Sequence, residues 1–331
     1  MIAQMDSLYI KMRPTKAVSR LLSYALFEGR PVTTKGRWIN SLVFALFALE
    51  KRLPQMKKVE KPIFIIGTGR SGTTILGMIL SMHRDVGFLN EPKALWHAIA
   101  PQEDIIGSYS LGPAKYRLDS QDVTDEIYTA AHRLFGSYLT AVGAKRVVDK
   151  YPELIFRTSF VRSIFPEAKF IFLVRNGWNT CHSIETWSKR LGINYQKEVH
   201  DWWGVNHRKW LMLVEQLVAS DRNFIDIAES VKKFDSYTDM AAVEWIITMQ
   251  EGLRLVRECP NIYMLRYEDM VSSPKESLAQ LLEFCELPPD EKVFDYASQT
   301  LSFAPGKKPF NLHFTIRPLF EQTMSALGYA V

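Results

Sequence analysis

The chain has 331 residues, 47% of them hydrophobic and 23% charged, and a formal net charge of +5. That supplies one sizeable core and excludes an intrinsically disordered chain. Its cysteines, Cys181, Cys259 and Cys285, share no metal-ligand spacing and leave an odd thiol, which excludes a disulfide framework and a zinc cluster and favours a reducing compartment.

The charge is unevenly placed along the chain. Residues 1–61 carry twelve basic side chains against four acidic ones, +8, which leaves −3 for the remainder. The start lacks the charged and apolar regions of a secretory signal, and no apolar stretch reaches the roughly 20 residues of a spanning helix. A cytoplasmic protein is expected, with the inner face of the membrane as a variant of that location. Between basic clusters lies the apolar run from Trp38 to Leu49, long enough to bury one helix face. It either packs on the larger domain or on a second subunit, giving a homo-oligomer, or lies on an anionic membrane surface as a peripheral contact. A basic arm by itself does not indicate nucleic acid, and nothing else in the chain does. Residues 1–60 are expected as a basic helical extension and residues 61–331 as one α/β domain.

From Lys61-Pro62 onward, short apolar strands alternate with longer amphipathic stretches. This is the pattern of a mostly parallel sheet flanked by helices in three layers. Strands are expected near 62–66, 86–89, 145–149, 169–174 and 261–266, with excursions at 101–120 and 218–240. The first strand, Ile63-Phe64-Ile65-Ile66, runs into Gly67-Thr68-Gly69-Arg70-Ser71-Gly72-Thr73-Thr74. Backbone N–H groups and the following helix N-terminus converge on a phosphate in such a loop, so a P-loop-like, nucleotide-binding fold is expected. Thr73 stands where a nucleotide triphosphatase places its phosphate-binding lysine, and the cation comes three residues earlier as Arg70. The loop is built for a ligand other than ATP.

A strand, a loop holding a cation, and paired threonines at the helix start resemble the 5′-phosphosulfate loop of the sulfotransferases, which use 3′-phosphoadenosine 5′-phosphosulfate (PAPS). Three further segments resemble that family. Val147-Val148-Asp149-Lys150-Tyr151-Pro152 is similar to its strand-end lysine segment. Lys169 to Asn176, with Arg175 at the strand end and Ser183 in the next helix, is similar to its 3′-phosphate site. Leu265 to Val271, followed by Pro274, is similar to its late strand-to-loop segment, and the likeness extends over residues 61 to 290. It implies a PAPS-dependent sulfotransferase catalytic domain. Such an enzyme moves a sulfuryl group, by in-line displacement and with no metal required, to a hydroxyl or amine of a glycan, lipid or small-molecule alcohol.

The resemblance also implies roles. Backbone N–H groups from Gly69 through Arg70, Ser71 and Gly72 to Thr73, with the hydroxyls of Ser71, Thr73 and Thr74, hold the 5′-phosphate. Arg70, where the family more often has lysine, clamps the charge near the bridging oxygen. Arg175 and Ser183 take the 3′-phosphate, Tyr267 and Arg266 add nucleotide contacts, and Lys307 and Lys308 form a late basic loop. Glu91, after the second strand in Phe88-Leu89-Asn90-Glu91-Pro92-Lys93, resembles the catalytic glutamate of the tyrosylprotein and glycan sulfotransferases. Burial would raise its pKa towards the operating pH, as a general base needs. His83 is the rival base, although a histidine at a helix end more commonly caps carbonyls. Lys150 would stabilise charge on the transferring group, with Asp149 orienting it or nearby backbone.

Trp178, Trp187, Trp202, Trp203 and Trp210, with His182, His200 and His207, are expected in one helical stretch, as an acceptor wall or as core. Two readings of other classes are a P-loop kinase, which should show the Walker lysine and magnesium carboxylates, and a non-catalytic nucleotide-binding module tethered to a membrane or partner. The presence together of Arg70, Glu91 and Lys150 favours the enzyme.

Overall fold

The computed structural model describes the chain except for residues 1, 2, 32, 35, 196, 197, 304, 305, 307, 308 and 331, so the basic loop expected at Lys307 and Lys308 lies outside the described residues. The strands are β1 (Ile63–Gly67), β2 (Val86–Asn90), β3 (Arg146–Lys150), β4 (Lys169–Val174), β5 (Ile193–Tyr195), β6 (Glu198–Asp201), β7 (Gly204–Val205) and β8 (Ile262–Arg266). Five of them pair in parallel in the order β2-β3-β1-β4-β8, each starting within one residue of the expected position. β5, β6 and β7 form a small antiparallel sheet.

The helices before the last strand are α1 (Ser7–Met12), α2 (Pro14–Leu22), α3 (Ile39–Glu50), α4 (Thr73–Ser81), α5 (Lys93–Ile99), α6 (Asp125–Ala141), α7 (Thr158–Ile164), α8 (Gly177–Leu191), α9 (Arg208–Gln216), α10 (Ala228–Val231) and α11 (Tyr237–Glu258). After β8 come α12 (Tyr267–Ser272), α13 (Pro274–Phe284), α14 (Glu291–Thr300) and α15 (Arg317–Ala326).

The central strands are apolar at nearly every position because both faces of the sheet are covered. Phe64, Ile66, Phe170 and Phe172 join the core built with α5, α6, α8 and α11. Ile63, Ile65, Ile171 and Leu173 point the other way, into a second core with α4, α13 and α14. The two cores are the interlayer contacts of a three-layer α/β fold. β1 and β4 are neighbours, and the chain leaves them towards opposite sides of the sheet, β1 to α4 and β2, β4 to α8 and β8. A crevice opens beyond the carboxyl ends of strands at such a switch point.

The described residues between 3 and 60 pack along the edge of β2, on α4 and on the start of α14. Tyr9 bonds to Ser81 Oγ at 2.9 Å, and Arg13 forms a forked pair with Asp290 at 3.0 Å. Arg20 is buried against Glu28 and donates to the Phe88 carbonyl at 3.3 Å. Glu28 Oε1 accepts the Asn90 N–H at 2.7 Å. The Arg20 and Glu28 contacts cover backbone groups of β2 that an edge strand would otherwise expose. Across the edge, Val43 and Phe47 of α3 enter the first core. No helix among the described residues is long and apolar enough to cross a membrane.

The tryptophan-rich segment corrects one expectation, since it is not a single helical stretch. α8 ends at Leu191, β5 to β7 intervene, and α9 starts at Arg208. The 218–240 excursion likewise contains α10 and the start of α11, which is capped by the Ser236 hydroxyl.

Candidate active site

The loop after β1 sits at the centre of the crevice. Gly72 caps α4 at φ +97°, where a side chain is strained. A Cβ there would fall 2.4 Å from the Tyr267 ring, and one at Gly69 would fall 2.4 Å from the Trp202 ring. The loop is therefore clasped between two aromatic plates, one from α12 and one from the turn after β6. Arg70 itself holds φ +70°, a conformation that costs a non-glycine residue about 1–3 kcal/mol and is found where surrounding structure imposes it.

That strain aims Arg70 at the neighbouring strand end. Its Nε donates to Ser183 Oγ of α8 at 3.1 Å, and Arg175 Nη1 donates to the Arg70 carbonyl at 3.2 Å. The Arg175 guanidinium lies 4.4 Å from the centre of the Tyr267 ring. Burial lowers the Arg70 pKa; Arg175 and Arg190 lower it further, against the opposing pull of Glu91. Neither Arg70 nor Arg175 forms an ion pair among the described residues. The Ser71 and Thr68 hydroxyls and Arg175 Nε are buried with no hydrogen-bond partner among the described residues. Clustered cations and orphaned polar atoms fit an anionic ligand with two charged ends. Thr73 and Thr74 open α4 beside them.

Next to the loop lies a chain of alternating charges. Register places Ile65, Asn90 and Lys150 side by side at the strand ends, and Glu91 follows at φ +50°. Lys150, buried, pairs with Glu91 Oε1, while Lys93 lies 3.5 Å from Glu91 Oε2. Lys93 also faces Glu153 at 3.9 Å. Lys209 lies 3.5 Å from Glu153 and 2.5 Å from Glu244, which accepts the Trp202 Nε1–H at 2.7 Å. Burial pushes the Glu91 carboxyl up, but Lys150 and Lys93 outweigh it and hold it at about 2. The expected upward shift is thus reversed, because two ammonium groups contact this carboxylate.

Glu91, Lys93, Glu153 and Lys209 face a cavity of about 180 Å³ that is also lined by Gly69, Trp187 and Trp202, and by Pro31, Thr33 and Thr34 from the N-terminal segment. A wider cleft of about 810 Å³, lined by Lys51, Ile99 and Arg133, holds none of the strand-end groups and so carries no argument for chemistry. Trp187 and Trp202 meet edge to face at 5.5 Å. Trp178, Trp203 and Trp210 are core, while Trp187 and Trp202 line the cavity.

Other candidates are directed elsewhere. His83 is fully buried; its Nε2–H donates to the Pro288 carbonyl at 2.8 Å and its Nδ1 accepts the Asp85 N–H at 3.1 Å. Both ring nitrogens are used, and burial lowers its pKa. The expected cap of the α4 carbonyls is not made, because the ring donates to the Pro288 carbonyl, between α13 and α14, instead. Arg266 stacks on Tyr329 at 4.4 Å, away from the loop. Asp149 accepts the Trp96 Nε1–H at 2.7 Å, and burial pushes it up to about 8. It bonds a core indole and makes no hydrogen bond to Lys150 among the described residues. Lys93, Glu153, Lys209 and Glu244 were not singled out from the sequence. Only Lys93, two residues after Glu91, carried a local signal.

A model of the Sulfotransferase family matches residues 62–228, which include Arg70, Glu91, Lys150, Arg175 and Ser183. Protein-tyrosine sulfotransferase 1 of Danio rerio is 34% identical over 125 residues, covering 37% of this chain and 34% of that protein. Nodulation protein NoeE of Sinorhizobium fredii is 24% identical over 253 residues, covering 72% of this chain and 52% of that protein. The chain spans about a third of the length of the protein-tyrosine sulfotransferases it matches. Sulfotransferase STF9 of Mycobacterium avium shares the fold with a TM-score of 0.50 at 15% identity, over 100% of this chain and 98% of that one. With half of its length matched, and with the loop, the strand-end lysine and the arginine–serine pair inside that half, the chain belongs to the Sulfotransferase family.

Proposed function

We propose that the chain transfers a sulfuryl group from PAPS to an acceptor hydroxyl. The observation that carries this reading is the convergence of Arg70, Arg175 and Ser183 beside a lysine–glutamate pair at the neighbouring strand ends. Such a site offers two anion positions and, next to one of them, a base and a movable cation. The loop N–H groups and Arg70 hold the phosphosulfate end, and Arg175 with Ser183 holds the 3′-phosphate. The acceptor oxygen attacks sulfur from the side of the Trp187–Trp202 cavity. The bond from sulfur to the bridging oxygen breaks, and 3′,5′-adenosine bisphosphate leaves with the electron pair.

The acceptor proton passes to Glu91. Lys150 drawn towards the sulfuryl oxygens leaves Glu91 with one cation fewer, which raises its basicity when a base is needed. Lys150 and Arg70 spread over the charge that develops on the leaving group. The acceptor hydroxyl in this reading is that of a glycan, a lipid headgroup or a small alcohol. Calorimetric titration with 3′,5′-adenosine bisphosphate, AMP and ATP–magnesium tests the donor. Preference for the bisphosphate supports the reading, and preference for ATP–magnesium sinks it in favour of a kinase.

A further inference from the structure

α3 has two unlike faces. Inward, Val43 and Phe47 are fully buried, and Glu50, the one carboxylate of the helix, is turned in with them at 9% exposure. Outward, Trp38 is 79% exposed, Leu42 59%, Leu49 56% and Leu53 39%. With Ala45 between them, also exposed, these positions follow helical spacing and form one unbroken apolar stripe along the helix and just past its end. Exposed Arg37 and Arg52 stand at its two ends. Soluble surfaces rarely leave so regular an apolar face open without an occupant.

We propose that this face docks on an anionic lipid bilayer. Twelve residues at 1.5 Å rise make a helix about 18 Å long, too short to cross the roughly 30 Å hydrocarbon core but suited to lie along its boundary. A tryptophan at one end and arginines at both ends match the headgroup level, where an aromatic ring is half solvated and guanidinium groups meet phosphate. The charge argument is narrower than the sequence suggested. Most N-terminal cations are spent internally, Arg13 on Asp290, Arg20 on Glu28, Lys16 on the Arg84 and Val86 carbonyls, and Lys57 on the Ala144 carbonyl. Arg37, which keeps its exposure while donating to the Ser108 carbonyl at 3.4 Å, and Arg52 flank the stripe with no exposed carboxylate on the helix between them.

The face precedes the residues matched by the family model, and its docking does not depend on the proposed reaction. It does bear on it. Thr33 and Thr34, a few residues before Trp38, line the cavity beside Glu91, so a docked α3 holds that cavity near the lipid surface.

The full chain is tested by co-sedimentation with vesicles of phosphatidylcholine alone or mixed with phosphatidylglycerol. The expected result is binding to the mixed vesicles, weakened by high salt and reduced by at least about tenfold in Leu42→Glu/Leu49→Glu. Both positions are exposed, so the variant should keep its circular dichroism spectrum and its affinity for adenosine bisphosphate. Trp38→Ala gives a milder second variant. Absence of binding, or binding indifferent to these substitutions, overturns the proposal. Self-association that the double variant abolishes, without vesicle binding, assigns the face to a second copy and also overturns it.

Discussion

The Arg70 side chain donates to Ser183 Oγ at 3.1 Å while its own carbonyl accepts from Arg175 at 3.2 Å. One residue of the loop thus ties together the end of β4 and the second turn of α8, the two places proposed above for the charged ends of the donor.

Replacing Arg175 with alanine should weaken binding of 3′,5′-adenosine bisphosphate about 10- to 100-fold, since charge-assisted hydrogen bonds contribute about 1.5–3 kcal/mol. AMP, which lacks the 3′-phosphate, should change far less. Calorimetry on both ligands decides this, and equal losses would remove Arg175 from the 3′-phosphate position.

Glu91→Gln should lower turnover by about 10²-fold or more with little change in donor affinity. Its pH signature is separate. Lys150 and Lys93 hold the folded carboxyl at about 2 against an ordinary 4.5, so the stability it contributes is present above about 4.5 and lost as pH falls towards 2. Acid unfolding of the glutamine variant should lack that part of the slope. A slope identical to that of the parent chain would mean the pair contributes nothing measurable.

At Gly72 a methyl group meets both a left-handed backbone and the Tyr267 ring. Gly72→Ala should therefore cost about 1–3 kcal/mol from the backbone conformation alone and weaken bisphosphate binding. Trimming the ring in Gly72→Ala/Tyr267→Ala relieves the clash but not the φ angle, so thermal melts of the double variant should show only partial recovery.

Lys209 and Glu244 form a buried pair, with side chains 2% and 5% exposed. Lys209→Met leaves Glu244 without its cation and should destabilise the fold by about 3–5 kcal/mol. Urea unfolding of Lys209→Met/Glu244→Gln should show less damage than the sum of the single variants; simple additivity would show that the two do not act as a pair.

Burial pushes the Glu50 carboxyl of α3 up to about 7. A carboxyl raised in the folded state favours the protonated form, so stability is lost as pH rises from about 4.5 through about 7. Glu50→Gln should melt higher than the parent chain at pH 8 and nearly level with it at pH 4. An equal difference at both values would refute the shift.

Much of the sheet could be read along the chain because doubly buried parallel strands are short apolar runs. The loop was legible because its glycines answer to local backbone geometry. Tyr267 at the loop could be expected only through resemblance. The reversal at Glu91 could not be read, because Lys150 and Lys93 act on it through space and the sequence distance to Lys150 says nothing about their contact. The tryptophans misled for the same reason, since spacing alone does not separate Trp202 against Gly69 from Trp203 in the core.

The sequence by itself determined the α/β architecture, the glycine-rich loop after the first strand and the residues at the strand ends, since these follow from hydrophobic periodicity, glycine conformations and motif order. Only the tertiary structure decided the alternating charges from Lys150 to Glu244, the two rings clasping the loop, and which face of α3 meets solvent. Each of those depends on side chains from distant segments meeting in a low-dielectric interior or being left outside it, and no local pattern in the chain encodes that outcome.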